Sequence, residues 1–439
     1  MKFVLALIGL TVGTSALAQD RSALGEAKWM IERLTGIKWS PDAPQVQQMA
    51  QRISSGDKIG AAKVATALPQ FYSVTVKEMA ARMSTRAESV REPLNDFSAS
   101  FIGITRDNTD ARELLYGNFY YAFTGTPALP AGVTVTSRIE TPGDLTRNML
   151  LSNAHFADLE NANINVHEYL TKVTTGQRIP TSMTTNVATP AADAAGVLTQ
   201  RTFLAAHAIA GTNRRLVEYT FREFMCMPIQ GWADTSASDI RVGMDIDRMP
   251  GGDPQKYLTS CKGCHTVMDG FRGAFARWDF NPTVNGVLHS LSGVTTGNFQ
   301  PVNSDATRQV MRKMNRDTAP AATMFVMYQG GWNTRDTSFV NNADRGVNST
   351  IFGWRGLAPD GAALSSNSSG TNAFGRLVAN SKRFSQCMAK RIWDQVCNYS
   401  LPDLEQDVLF VSLALEFEQN GYKLKDLFET IATHPKCRL

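Results

Sequence analysis

Two cysteines and a histidine fall within five positions in "SCKGCHTVMDG", Ser260 to Gly270. The chain has only 6 Cys and 6 His in 439 residues, so this stretch limits the fold more than any other. A thiol-redox C-x-x-C site follows a strand and has no use for His265. A structural zinc site needs a second close pair, and Cys226, Cys387, Cys397 and Cys437 are scattered. C-x-x-C-H is the attachment pattern of a c-type haem. The two thiols add to the porphyrin vinyl groups, and the next residue presents its imidazole to the iron. That chemistry needs Cys261, Cys264 and His265 on one face of one helix. The preceding "GGDPQKYLT" supplies a helix start, with Asp253 as cap and Pro254 in the first turn. A regular helix from there sets Tyr257, Cys261, Cys264 and His265 at i, i+4, i+7 and i+8, on one side. The sequence therefore implies one covalent haem c, with His265 as proximal iron ligand.

A haem fixed covalently suits export, where lost cofactor is hard to replace. The first residues agree. "MKFVLALIGLTVGTSALAQD" has a basic start at Lys2, an apolar run and Ala16-Leu17-Ala18, the pattern of a signal peptide over 1–18. The expected location is periplasmic or secreted, in an oxidising compartment. No later stretch is long and apolar enough to span a bilayer. The formal charge is +4, with no basic cluster interleaved with aromatics, which argues against a nucleic-acid partner.

The remaining pattern is mainly α, multi-helical with long irregular loops around a cytochrome c-like haem segment. In "PQVQQMAQRISSGD", Val46, Met49 and Ile53 share a face, and in "PQFYSVTVKEMAARMSTR" so do Val76, Met79 and Met83. "NTDARELLYGN" reads as a helix capped by Thr109 and closed by Gly117. Ala128 to Pro142 is rich in proline and β-branched residues and favours a short hairpin. The Thr/Ala/Pro-rich stretch from Thr174 to Gly196 sets a boundary. Residues 280–345 read as loops around one helix, and "LAPDGAALSSNSSGTNAFG" opens a last helical region. The expected organisation is an N-terminal helical domain over 19–195, a haem domain over 196–358 and a C-terminal helical domain over 359–439. His155, His167, His207 and His434 stand apart and read as surface or satisfied core residues. No hydrolase, P-loop or zinc-protease signature is present.

The stretch "CKGCHTVMDGFRGAFARWDF" resembles the haem segment of large exported proteins with planctomycete-type cytochrome c domains. There the haem motif is followed by a D-P-x-G-F-type turn and an acidic "E-N-F-D"-like end. Asp269, Gly270 and Phe271 match the turn without its proline, and Trp278, Asp279 and Phe280 match the end. "GVLTQRTFLAAHAIAGTNRRLVEYTFREFMCMPI", "FGRLVANSKRFSQCMAKRIWDQVC" and "GYKLKDLFETIATHP" resemble other parts of the same proteins, so the likeness runs from about Gly196 to Pro435. It implies haem-dependent redox work outside the cytoplasm.

Four cysteines remain after the haem pair. Cys387 and Cys397 sit ten residues apart in one expected helix, about 15 Å, too far for a disulfide whose Cα atoms lie within about 7 Å. Two pairings survive. The resemblance implies the one that joins Cys226 to Cys387, which leaves Cys397 with Cys437. For the iron's sixth position Met324, in "APAATMFVMYQGGW", is the candidate, with Met244, Met249 and His289 as others. A Met-ligated iron makes an electron carrier that works with a redox partner protein. An open sixth site makes a peroxidase-like oxidoreductase, and a purely structural haem makes an exported binding or assembly protein. The first is the expected function, with no catalytic residues.

Overall fold

The computed structural model describes residues 22–135, 152–174, 178–180, 186–208, 213–243, 246–281, 286–289, 337–397 and 408–438. Met324, the signal segment and the helix expected within 280–345 lie outside them, as does much of the hairpin expected from Ala128 to Pro142. The described chain is mainly helical. Helix α1 (Ala23–Thr35) starts where Ser22 Oγ accepts from Gly25 N at 3.0 Å and ends at Gly36, whose φ of 70° suits a residue without Cβ. Helix α2 (Pro44–Ser54) buries Val46, Met49 and Ile53, the stripe its spacing demands. Helix α3 (Lys58–Thr66) completes a three-helix start. Phe71–Val76 winds as a π-helix before α4 (Lys77–Ser84), so the second stripe, Val76, Met79 and Met83, is buried across a change of helix type.

Helix α5 (Asp96–Asp107) lies at the centre. Asn95 and Ser98 form a reciprocal capping box, and every side chain from Asp96 to Thr105 is buried. The next helix, α6 (Glu113–Tyr116), is shorter than Thr109 would start. Asp110 pairs instead in a β-bridge with Lys423, and Ala111 N donates to Tyr422 O at 2.9 Å. The residues before α6 are thus held by the C-terminal chain. Strand β1 (Tyr120–Ala122) pairs antiparallel with β2 (Thr171–Val173), around α7 (Ala154–Asn161) and α8 (Val166–Tyr169). Strands β3 (Arg178–Pro180) and β4 (Asn186–Ala188) form a second ribbon. Helices α9 (Arg201–His207) and α10 (Arg214–Met225) precede the motif. The motif lies on α11 (Pro254–Lys256), a π-helical turn (Tyr257–Cys261) and α12 (Lys262–Phe271). Strands β5 (Trp278–Asn281) and β6 (Gly286–His289) follow as an antiparallel pair. Then come β7 (Ser338–Phe339), α13 (Gly346–Phe352), β8 (Ser368–Ser369), α14 (Thr371–Ala379), α15 (Lys382–Val396), α16 (Val408–Gln419) and α17 (Leu424–Thr433).

The last helices close back onto the first. Thr66 Oγ1 donates to the buried Glu429 of α17 at 2.7 Å, and Asn108 Nδ2 to Asp426 at 3.0 Å. Helix α14 passes so near α6 that a Cβ at Gly375 would sit 1.8 Å from Leu115 O. One buried apolar cluster runs from Ala27 to Cys437. Two disulfides fix its far ends: Cys226–Cys387, with Cα atoms 5.2 Å apart, ties the end of α10 to α15, and Cys397–Cys437, at 4.8 Å, ties the end of α15 to the final turn. Cys387 and Cys397 stand on one helix and its cap, which keeps them apart. Among the described residues no helix is long and apolar enough to cross a membrane.

Candidate haem-attachment site

Asp253 caps the motif helix as its sequence demands, accepting from Gln255 N at 2.8 Å, with Pro254 in the first turn. The helix is not regular, however. The π-helical turn over Tyr257–Cys261 inserts an extra residue per turn. Tyr257 is therefore rotated away from the cysteines. It is buried, with Oη 2.9 Å from Asp239 Oδ2 and its ring under the Arg248 guanidinium. Cys261, Cys264, His265 and Met268 form a half-exposed stripe, and Leu258, three residues before Cys261, is exposed. The other side of α12, including Gly263, Thr266, Val267, Gly270 and Phe271, is buried. Two thiols, an imidazole and apolar side chains thus share one half-buried face, with Cys264 and Met268 also packed against the core.

Close backing holds this stripe in place. Asp234 N donates to Gly263 O at 3.1 Å, and Thr266 Oγ1 donates to Asp234 O at 3.0 Å. Behind α12, the Phe271 ring meets Phe221 and Phe374. Helix α12 also runs straight through Asp269-Gly270-Phe271, where the resemblance implied a turn. The proline of that turn is absent here, so nothing forbids helical backbone before it. The acidic end, Trp278 to Phe280, is strand β5, with Trp278 Nε1 donating to Asp193 O at 3.1 Å.

The continued helix sets Asp269 four residues after His265, on the same face. The carboxylate is fully buried. Arg214 Nε donates to Oδ1 at 2.6 Å and Nη2 to Oδ2 at 2.8 Å, while Gly243 N donates to Oδ2 at 2.8 Å. Arg272 Nη1 lies 4.0 Å from Oδ2 and His265 Nδ1 lies 3.6 Å from it. Burial opposes the charged form, but Arg272, Arg214 and His265 outweigh it and hold the carboxyl well below the usual carboxylate range. The His265 side chain is 20% exposed, so its ring is backed by Asp269 and open on the other side. The sequence marked Asp269 only as a turn residue, although its i, i+4 spacing from His265 was a usable signal. Arg214 and Gly243, from separate segments, had none.

Cys261 and Cys264 carry free thiols, whereas the other four cysteines are paired. Burial pushes the Cys264 thiol up, with Glu218 and Cys261 adding to it, unlike the lowered value of a reactive redox thiol. Among the described residues no group of three or more His, Cys, Asp or Glu side chains gathers to hold a metal ion. The two thiols and the imidazole share one face of the helix; they are the donor types of C-x-x-C-H haem attachment, whereas a structural zinc site takes a fourth ligand.

Of the other sixth-position candidates, Met249 is half-exposed on the loop before Asp253. Met244 lies outside the described residues, and only the backbone of His289 is described, within β6. His155 Nε2 accepts from Phe123 N at 3.1 Å, and the His167 ring stacks on Tyr72 at 4.5 Å. His434 meets the Trp393 ring edge-on. His207 departs from a satisfied core residue. It is fully buried, stacked on Tyr219 at 4.0 Å, with neither ring nitrogen hydrogen-bonded among the described residues. Burial, with Arg215 and Arg86, pushes its pKa down to about 3 and keeps it neutral. A cleft of about 530 Å³ lies elsewhere, lined by residues including Trp29, Glu32, Arg33, Arg82 and Asp394, none of them in the motif. No protein-family model, no curated protein and no solved structure matches this chain.

Proposed function

We propose that this protein is an exported c-type cytochrome that binds one haem covalently and passes electrons to or from a redox partner protein. The observation that carries this reading is the shared half-exposed face of Cys261, Cys264 and His265 on a helix whose opposite face is locked into the core. In this reading Cys261 and Cys264 would hold the porphyrin by adding their thiols across its two vinyl groups, and His265 would be the iron ligand through Nε2. When bound, haem c supplies a one-electron couple. The polypeptide's part is to hold the ring in one place. Cys261 and Cys264 would anchor it, α12 fixes the backbone that carries the imidazole, and Leu258 and Met268 would offer apolar cover. The disulfides Cys226–Cys387 and Cys397–Cys437 suit an oxidising compartment, which supports export. Met324 is the proposed sixth ligand, and its ligation would make the site a carrier rather than an open catalytic iron.

Expression in a host with a working haem-attachment system tests this directly. The purified chain is expected to stain for haem on a denaturing gel and to gain the mass of one haem. Methionine ligation gives the oxidised protein a weak far-red band that Met324→Ala removes. A chain of unmodified mass, with Cys261 and Cys264 open to alkylation, would sink the haem reading. Rapid binding of carbon monoxide or cyanide would replace the carrier by an enzyme with an open iron.

A further inference from the structure

Asp269 is a buried carboxylate at the meeting point of three segments, α10 through Arg214, the loop at Gly243 and α12 itself. A structural ion pair needs only Arg214. The arrangement here does more, because the same oxygen that takes Arg214 Nη2 and Gly243 N also faces His265 Nδ1 at 3.6 Å. An ionised carboxylate only accepts; one donor within hydrogen-bond distance sits on Oδ1 and two on Oδ2, while His265 Nδ1 faces Oδ2 as a buried nitrogen with no hydrogen-bond partner among the described residues. The donors also fix the direction of the carboxylate. The two-point Arg214 contact sets its plane, and the Gly243 amide stops it from swinging. Its position is therefore set before the imidazole moves.

We propose that Asp269 is the positioning residue of the iron ligand: its Oδ2 accepts from His265 Nδ1–H, so that Nε2 is the nitrogen left for the iron. This deepens the haem reading and rests on it. Metal-bound histidines commonly donate their second N–H to such a partner, which fixes the tautomer and ring plane and makes the ligand more basic. A more basic imidazole favours oxidised over reduced iron. Arg214 and Arg272 moderate this by drawing on the same carboxylate, so the clamp sets both the geometry and the strength of the contact.

Asp269→Asn and Arg214→Lys, each made in the full exported chain, test the role through the potential of the attached haem. Asn keeps the shape and removes the charge. Lys keeps the charge and removes the two-point contact. Loss of a partner of this kind costs on the order of 10-fold in ligand binding. The carboxylate favours oxidised iron, so the loss falls mainly on that state, and at one fixed solution potential Asp269→Asn is expected to raise the ratio of reduced to oxidised protein by up to on the order of 10-fold. Arg214→Lys should move the ratio less, through a carboxylate free to turn, and should loosen the His265 Nδ1 proton, read as faster exchange with solvent. Both variants should retain covalent haem. Haem-loaded Asp269→Asn with the wild-type ratio overturns the proposal. If that variant does not fold, an unchanged Nδ1 proton in Arg214→Lys overturns it instead. Absence of haem from the wild-type chain is a separate result, which refutes the function and not merely this residue's role.

Discussion

Replacing Gly270 by alanine sets two principles against each other on the motif helix. Glycine inside a helix costs about 0.5–1 kcal/mol relative to alanine, so propensity alone makes Gly270→Ala stabilising. Packing says the reverse. A Cβ at Gly270 would lie 2.6 Å from Val340 O, a separation that real side chains do not adopt. That oxygen belongs to backbone that cannot easily retreat. Val340 N donates to Gly270 O at 2.9 Å, the neighbouring Phe339 is buried against Phe271, and Asn342 Nδ2 donates to Thr266 O at 2.8 Å. Overpacking of this kind costs about 1–3 kcal/mol, and a lost backbone hydrogen bond about 0.5–1.5 kcal/mol. The packing side wins, and the net expectation is a loss of about 1–3 kcal/mol. Urea unfolding should show a lower midpoint at unchanged slope. Gly263→Ala on the same helix is the control. Its Cβ would meet side-chain carbons of Ala233 and Thr235 at 3.2 and 3.3 Å, a tight contact with a loop. It should stay within about 1 kcal/mol of wild type, because the helix gain offsets the crowding. A Gly270→Ala protein as stable as Gly263→Ala would refute the argument that Val340 requires this glycine.

Two further outcomes follow from groups buried away from the motif. The disulfides close loops of 161 and 40 residues, for which chain entropy gives about 5 and about 4 kcal/mol. Paired Cys→Ala replacement of Cys226 and Cys387 should therefore lower the unfolding midpoint more than replacement of Cys397 and Cys437, and the reverse order would contradict the entropic account. Burial pushes Glu223 up to about 7, against the pull of Arg391 2.6 Å away. The folded state then holds this proton more tightly than the unfolded state, so stability falls as pH rises from about 4.5 towards 7 and stays low above. Glu223→Gln should flatten that part of the stability profile, and a variant with the wild-type slope between pH 5 and 7 would show that Glu223 is not the titrating group.

What the sequence conveyed, and what it withheld, divides by distance along the chain. Val46, Met49 and Ile53 were legible because helical spacing is a local property, and so was the cap at Asp253. The proposed donors can be named for the same reason: Cys261, Cys264 and His265 are sequence neighbours, and the structure sets them on one face of the motif helix. The face they share was only partly legible. A regular helix puts Tyr257 beside the cysteines, but the π-helical turn moves it into the core, where Asp239 and Arg248 hold it. The grip comes from a loop that periodicity cannot see. Helix α6 failed in the same way, since Tyr422 and Lys423 pin the residues where Thr109 should have capped.

Asp269 shows why the backing of a site is harder to read than its face. Its spacing from His265 is local, but its meaning is not. A carboxylate four residues after a histidine is an ordinary surface pair unless something buries it and fixes its charge. Here that is done by Arg214, 55 residues earlier, and by the amide of Gly243, 26 residues earlier. An amide has no residue signature at all, and one arginine among 44 basic residues has no reason to be chosen. The residues that would touch a haem can thus be named from five letters. Those proposed here to back His265 are recognisable only once the fold has brought α10, the loop at Gly243 and α12 around one buried carboxylate. Substitutions at Arg214 should consequently disturb the potential of the site while leaving covalent attachment intact, because attachment depends on the local motif and the potential on the assembled clamp.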